Sequence, residues 1–398
     1  MSRSLCIITL ILVMVIAAAN YCQGDENSAL SLSGFAESTG LSAEVIAQAL
    51  LGPATLSKVL NNVVANDSRL AGLRDINLNF KVLKSENSND GTLGFSYNYS
   101  KDIKKHFNQD DSDIQMGNSL SVVLKGNVAS NIKLNPKDFI DSNISFHYFR
   151  SQGGAIKVTE AVAAKLDELQ DQEISYEAQG YKGSVYESPV FRSFSEIVRG
   201  NLTNQYYLDL IFTGGLESDQ TFENKQYYFG SQIGLDVKAW NPDDKLAKWN
   251  IFDWPFAAIR MWSGVDSSFS PLGSTIPTVL FGVDQVDPVS GVIKEVHKDG
   301  SMYTRLRTEL SFRTPVAQYN EAYFEMDYRY YQAINASATL RDSHFDRSEY
   351  FVANLIWPKL FSISSLPYGA FVSYSIGKLP LDVQSDKVWE LGLNYGFI

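Results

Sequence analysis

Residues 304–313 read TRLRTELSFR and residues 321–331 read EAYFEMDYRYY. In the first stretch Leu306, Leu310 and Phe312 share parity with Thr304 and Thr308, and alternate with Arg305, Arg307, Glu309, Ser311 and Arg313. In the second, Ala322, Phe324, Met326, Tyr328 and Tyr330 alternate with Glu321, Tyr323, Glu325, Asp327, Arg329 and Tyr331. A period of two is that of a β-strand, whose successive side chains point to opposite faces. Each stretch is about ten residues long, the length a tilted strand needs to cross the hydrocarbon layer of a bilayer. One face is apolar and the other carries charges of both signs. Hydrocarbon does not solvate charge, so in a membrane the charged face must look into a wet or fully paired interior. Arg305, Arg307, Glu309, Arg313, Glu325, Asp327 and Arg329 are therefore read as lumen-facing, with the two stretches as neighbours in one hairpin.

The same period recurs on both sides of this hairpin. Upstream it marks residues 76–82, 93–99, 120–128, 144–148, 206–212 and 227–237, with weaker runs at 251–262 and 276–285. Downstream it marks 351–357, 368–376 and 389–397. Pro255 weighs against the run at 251–262, because proline removes a ladder donor. A further strand near Val190–Phe194 fits an ambiguous Gly- and Ser-bearing region. Counting without that region gives 13 candidate strands. Bacterial single-chain barrels have even numbers, so the expectation is an all-β antiparallel transmembrane β-barrel of about 12 strands, with 14 as the alternative.

Two regions carry helical spacing instead. Ala43, Val45, Ile46, Ala49, Leu50, Leu56, Leu60 and Val63 suggest a short N-terminal helical segment, periplasmic or serving as a plug. Val158, Val162, Ala163, Leu166 and Leu169 suggest a helical insertion at 157–174 in a long loop. The N-terminus has Arg3 followed by an uncharged run from Leu5 to Ala19, ending in Ala17, Ala18 and Ala19. That is the pattern of a secretory signal peptide. The expected division is a signal peptide at 1–22, an N-terminal segment at 23–73 and a barrel at 74–398. The cysteines are Cys6 and Cys22 alone, so no disulfide framework is expected. Beyond residue 24 no apolar run is long enough for a helical membrane span.

A soluble β-sandwich also alternates apolar and polar residues. Long strands favour the barrel over it. So do aromatic residues near strand ends, such as Tyr328, Tyr330, Trp357, Tyr368, Tyr374, Trp389 and Tyr395, which fit the girdles at a lipid interface. Strand pattern running almost to the last residue lets the final strand close on the first and leave no edge. With the leader, residues 74–398 resemble the bacterial outer-membrane barrel proteins as a broad class. The resemblance implies a Gram-negative outer-membrane location, contact with outer-membrane lipid and delivery by a barrel-assembly machinery. Members of that class usually end in an aromatic residue that assists assembly. Here Phe397 is penultimate and Ile398 last.

The net charge of −11 repels phosphate backbones, and nucleic acid is not an expected partner. Neither HExxH nor CxxC occurs, so no metal site is expected, and no nucleotide-binding glycine pattern implies a cofactor. The paired acids Asp243/Asp244 and Asp284/Asp287 sit beside Pro242 and Pro288 and are read as turns. Of His106, His147, His297 and His344, only His147 falls in a clear strand. It shares parity with Ser145, and Ser151 is near, so His147 is the one candidate general base. Alternate strand positions lie about 6–7 Å apart, however, and no catalytic residue is assigned. Three functions are consistent with these observations. The first is a channel or transport barrel for small polar solutes, drawn from the charged face. The second is a surface adhesion or assembly-related barrel using loops at 101–116 and 151–200. The third is a lipid-modifying enzyme using His147.

Overall fold

The computed structural model describes residues 76–395 except 86–90, 110–113, 131–134, 136–137, 155–158, 240–244, 263–273, 298–301, 317–321, 335, 364–365 and 382–385. Within 166–202 it describes only 167, 168, 193, 197, 200 and 201. The expected leader, the helical segment at 42–65 and Phe397 lie outside the described residues.

Twelve long strands make the wall: β1 Ile76–Ser85, β2 Gly91–Gln109, β3 Ile114–Ala129, β4 Ile140–Gly153, β5 Gln205–Ser218, β6 Lys225–Ala239, β7 Thr278–Ser290, β8 Tyr303–Pro315, β9 Tyr323–Ala333, β10 Arg347–Ile363, β11 Leu366–Gly377 and β12 Asp386–Tyr395. Each pairs antiparallel with its sequence neighbours, and β1 pairs with β12 from Leu78↔Tyr395 to Ser85↔Val388. The sheet is a closed ring, and closure removes the unpaired edge that an open sheet would present. A two-residue bridge at Ser274–Thr275 pairs with the end of β6.

The two faces of the wall differ as the alternation requires. Ile144, Phe146, Leu208, Phe212, Phe229, Ile233, Leu235, Phe281 and Val283 share the outward parity, and all are exposed. The inward parity holds buried Lys81, Ser121, Asp141, Ser145, Glu217, Gln226, Gln232, Asp284, Arg305 and Glu390. Among the described residues, no core of apolar side chains fills the interior along its length. That separates this ring from a sandwich, whose inner faces interdigitate as hydrocarbon.

Among the described residues, four short helices with both ends placed interrupt the strands: α1 Lys245–Lys248, α2 Trp254–Trp262, α3 Val292–Val296 and α4 Ala338–Asp342. The thirteenth candidate strand, at 251–262, is in fact α2. Pro255 is unsuited to a ladder but sits in the first turn of the helix, where its missing N–H is not needed. Phe256, Ile259 and Arg260 fall on one side of α2 and are buried, while Trp254 on the other is exposed. The buried side lies on the outside of the barrel. The Phe256 ring stacks 4.8 Å from Phe324 and 5.1 Å from Phe312, both of outward parity. Val316, Ala322, Ala353, Leu355 and Tyr374 belong to the same cluster. Tyr374, read from sequence as a lipid-girdle aromatic, is thus buried by the chain itself.

The insertion expected at 157–174 is helical where it is described, over residues 160–165 and 167–168. The Thr159 hydroxyl accepts from the Val162 N–H, and the Thr159 carbonyl from the Ala163 N–H, as at a helix start. The suggested strand near Val190–Phe194 is not one at Ser193, which is helical. Most of the proposed recognition loop at 101–116 is wall: residues 101–109 belong to β2 and 114–116 to β3. A register shift between Asp102 and Lys104 carries that hairpin onward.

Candidate functional site

Strand register sets the site. Arg305, Arg307, Glu309, Ser311 and Arg313 on β8 stand opposite Ala333, Tyr331, Arg329, Asp327 and Glu325 on β9. All seven charged residues singled out in the sequence therefore share one face of this hairpin. It is the inward one, because Asp284, opposite Arg305 on β7, is fully buried.

Arg305 is held most tightly. Its Nη1 and Nη2 donate to the two Glu217 oxygens at 2.8 and 2.9 Å, and Nε and Nη2 donate to Asp284 Oδ2 at 3.2 and 2.9 Å. The planar guanidinium suits this two-carboxylate grip, whereas an ammonium would not. Glu217 reaches Arg305 from β5, past β6 and β7, along the inner surface. The gap between Asp284 and β6 is kept by Gly230, where a Cβ would stand 2.2 Å from Asp284 Oδ1. Gln226 also donates to Glu217, and the Tyr303 hydroxyl donates to Gln226 at 3.3 Å. Beside this group the Tyr228 hydroxyl donates to Asp141 at 2.9 Å, and Lys125 pairs with Asp141 at 3.1 Å.

Further along β8, Arg307 pairs with Glu309, and Arg313 pairs with Glu325 at 3.1 Å while lying 4.4 Å over the Tyr323 ring. Ser311 donates to Asp327 at 2.7 Å. Side-chain exposure rises steadily on this path. It is 3 % at Arg305 and Glu217, 11 % and 17 % at Arg307 and Glu309, and 60 % and 24 % at Arg313 and Glu325. The interior thus opens toward the rim where β1 begins and β12 ends, and is filled toward the other rim. There, inward-facing Tyr228, Val286, Tyr303, Tyr331, Tyr350 and Val352 pack with Ile293 of α3, Leu340 of α4, and Leu379 and Leu381 after β11. With Phe139 just before β4, the wall and four connections together make an apolar cap.

On the far wall Lys81 pairs with Glu390 at 3.1 Å, and Lys81 also donates to Asn127 at 2.8 Å. This ion pair joins β1 to β12 across the seam that closes the ring.

His147 faces the same interior. Its Nε2 lies 3.2 Å from Ser145 Oγ and its Nδ1 lies 3.4 Å from Asp209 Oδ2. Side-chain torsions close the gap that backbone spacing leaves between positions 145 and 147. Ser121 Oγ is 3.4 Å from Ser145 Oγ. Ser151 is buried, its Oγ has no polar partner among the described residues, and it is not part of this group. His147 has inward parity, so its side chain faces the lumen and not lipid. The turn reading of Asp284 and Asp287 is corrected: both lie within β7. Glu217, Asp284, Lys81 and Glu390 were not singled out in the sequence as lumen residues. The available signal was a charge of inward parity inside an otherwise patterned strand. Asp243 and Asp244 lie outside the described residues.

A closed antiparallel ring pairs its backbone within the sheet and leaves no edge, which is what a strand-built membrane span requires. The chain forms a closed 12-stranded antiparallel β-barrel with this arrangement. No protein-family model matches the chain, and no curated protein is similar to it. Among solved structures it is similar to the NanC porin, at 7 % identity and a TM-score of 0.34 over 80 % of this chain and 98 % of that one. It is also similar to outer membrane phospholipase A from Escherichia coli, at 8 % identity and a TM-score of 0.31 over 81 % and 90 %. The translocator domain of the autotransporter NalP from Neisseria meningitidis gives 8 % identity and a TM-score of 0.22 over 88 % and 97 %.

Proposed function

We propose that the barrel is a gated channel for small polar solutes. The observation that carries this reading is the exposure gradient along β8, from solvated Arg313 to the locked Arg305 beneath the apolar cap. A wall of alternating cations and carboxylates gives a hydrated solute polar partners along its path, and the cap sets the closed state. Lipid surrounds the outer wall, and assembly machinery inserts it. In a planar bilayer the refolded full chain is expected to show rare openings. Replacing residues 336–342 by a Gly-Ser linker of equal length is expected to give sustained current. If that variant folds, by its heat-shifted gel mobility, and still passes no current, the channel reading is rejected.

The contacts of His147 support a second reading, ester hydrolysis within the lumen. His147 would accept the Ser145 proton as Ser145 Oγ attacks the ester carbonyl, and pass it to the alcohol that leaves as the ester C–O bond breaks. It would then take a proton from the water that releases the acid and restores Ser145, while Asp209 holds the imidazole. The substrate would be a solute in the lumen, because the side chains face away from the bilayer. Loss of esterase activity in both Ser145→Ala and His147→Ala is expected under this reading. Activity undiminished in either one rejects it.

A further inference from the structure

The outer face of the wall carries a groove of about 810 Å³ at the capped rim. Its floor is one row across the strands: register sets Tyr328 opposite Phe351, Phe351 opposite Ile376, and Ile376 opposite Lys387. Tyr328, Phe351 and Ile376 are all half-buried and of the parity that faces lipid elsewhere on the barrel. Rimward of this row stand Arg347, which opposes Gln332, and Arg341 of α4. Arg341, Arg347 and Lys387 are exposed. Lys378 is set between them: Gly377, at φ +106, turns the chain so that the Lys378 N–H reaches the Glu349 carbonyl at 2.7 Å. The Lys378 ammonium donates to the His344 carbonyl at 2.9 Å and lies 5.2 Å over the Phe345 ring.

Among the described residues that line the groove, four are cations and two, Asp346 and Glu349, are carboxylates. This local excess of positive charge stands on a chain whose net charge is −11. Position and charge together specify the ligand. The apolar row continues the lipid-facing wall, and the cations lie at its rim end, where headgroups begin.

We propose that this groove is a binding site for a phosphate-bearing lipid. The guanidinium groups of Arg341 and Arg347 and the ammonium groups of Lys378 and Lys387 take the headgroup phosphate, and an acyl chain lies along Tyr328, Phe351 and Ile376. Basic pockets beside a membrane-spanning wall recognise anionic headgroups in this way. Guanidinium forks match phosphate oxygens two at a time.

The test is native mass spectrometry of the full chain refolded in detergent. It is titrated with phosphatidylglycerol, with phosphatidylcholine of the same acyl chains, or with inorganic phosphate. The wild type is expected to retain phosphatidylglycerol in preference to phosphatidylcholine. Neutralising two cations in R347Q/K387Q is expected to weaken that binding about 30-fold, at roughly one kcal/mol for each basic side chain near the headgroups. E349Q removes a competing carboxylate and is expected to strengthen it. Heat-shifted gel mobility identifies the variants that fold, and R341Q/K378Q serves if R347Q/K387Q does not. Equal retention of the two lipids overturns the proposal, as does undiminished phosphatidylglycerol binding in a folded double variant. Displacement of phosphatidylglycerol by an equal concentration of inorganic phosphate overturns the acyl-chain half, leaving a site for free phosphate.

Discussion

At the scale of the residue, the lumen stands on charge pairing out of water. Arg305 is 3 % exposed, with Glu217 and Asp284 at 3 % and 0 %. Removing the cation leaves two buried carboxylates facing each other, and breaking a buried pair in this way costs about 3–5 kcal/mol. Arg305→Met is therefore expected to lower the urea midpoint of the barrel refolded in vesicles. The triple variant Arg305→Met, Glu217→Gln, Asp284→Asn is expected to recover most of the loss, since it buries no unpaired charge. A second residue gives a pH dependence. Asp138, in the connection between β3 and β4, accepts from the Gln220 N–H at 2.6 Å. Burial raises its pKa, the Gln220 hydrogen bond partly opposes this, and the nearby Asp219 charge raises it further. A carboxyl whose folded pKa lies above its unfolded value stabilises the fold when protonated, and that contribution is lost as pH rises through the folded value. Asp138→Asn keeps the acceptor and removes the charge. It is expected to raise the urea midpoint at neutral pH, with the gain shrinking to nothing below the ordinary carboxylate range. The seven charges of β8 and β9 were legible in the sequence because they alternate without interruption. Glu217 was not, because Gly214 and Gly215 interrupt the pattern of its strand. Asp209 as a partner of His147 depends on the pairing of β4 with β5, which lie either side of a connection some 50 residues long. Local spacing carries no trace of that pairing.

Among the elements, α2 has the most specific seat. Arg260 donates to both oxygens of Asp253, at 2.9 and 2.6 Å, and to the Thr314 hydroxyl at 2.7 Å. These bonds fix the helix end against β8 while Phe256 enters the ring cluster on the outer wall. Trp249 and Ile251 just before the helix are 74 % and 62 % exposed, and Trp254 completes an aromatic patch suited to the boundary between headgroup and acyl chain. Arg260→Met is expected to release α2 from the wall, since it strands the Asp253 carboxylate beside apolar rings. The measurement is limited proteolysis of the refolded protein in vesicles. Cleavage within 240–277 is expected to rise at least several-fold, while heat-shifted mobility still reports an intact barrel. Equal cleavage of variant and wild type would show that the ion pair does not hold the helix. The sequence favoured a strand here because 251–262 is apolar on every side, so neither period stands out. A short apolar run takes its structure from what it packs on, and the wall that receives α2 is built from residues between Phe312 and Tyr374, far along the chain.

For the molecule as a whole, the strand count was legible because lipid imposes the same demand on every crossing. Eleven of the twelve strands carry a readable alternation, and the even-number rule removes one of 13 candidates without saying which. Closure was less legible, because the β1–β12 seam joins segments about 300 residues apart. What local sequence does carry is the consequence of closure, an outward apolar band on every strand. That band supplies the decisive test of membrane embedding. Ile233 lies near the middle of β6, opposite Leu210 on β5 and Phe281 on β7, and is 48 % exposed. In water a half-exposed isoleucine is replaced by arginine at little cost, since its surroundings already include solvent. In a bilayer the guanidinium would enter hydrocarbon near the midplane, at a cost of about 2–4 kcal/mol. Moved to Phe229, four residues closer to the rim, the same charge can reach the headgroups and costs less. Refolding in vesicles, followed by urea titration, is expected to rank wild type above Phe229→Arg and Phe229→Arg above Ile233→Arg. A cost for arginine at Ile233 no greater than at Phe229 would mean that hydrocarbon does not cover this wall, and every charge assigned to the lumen would need another reason for facing inward.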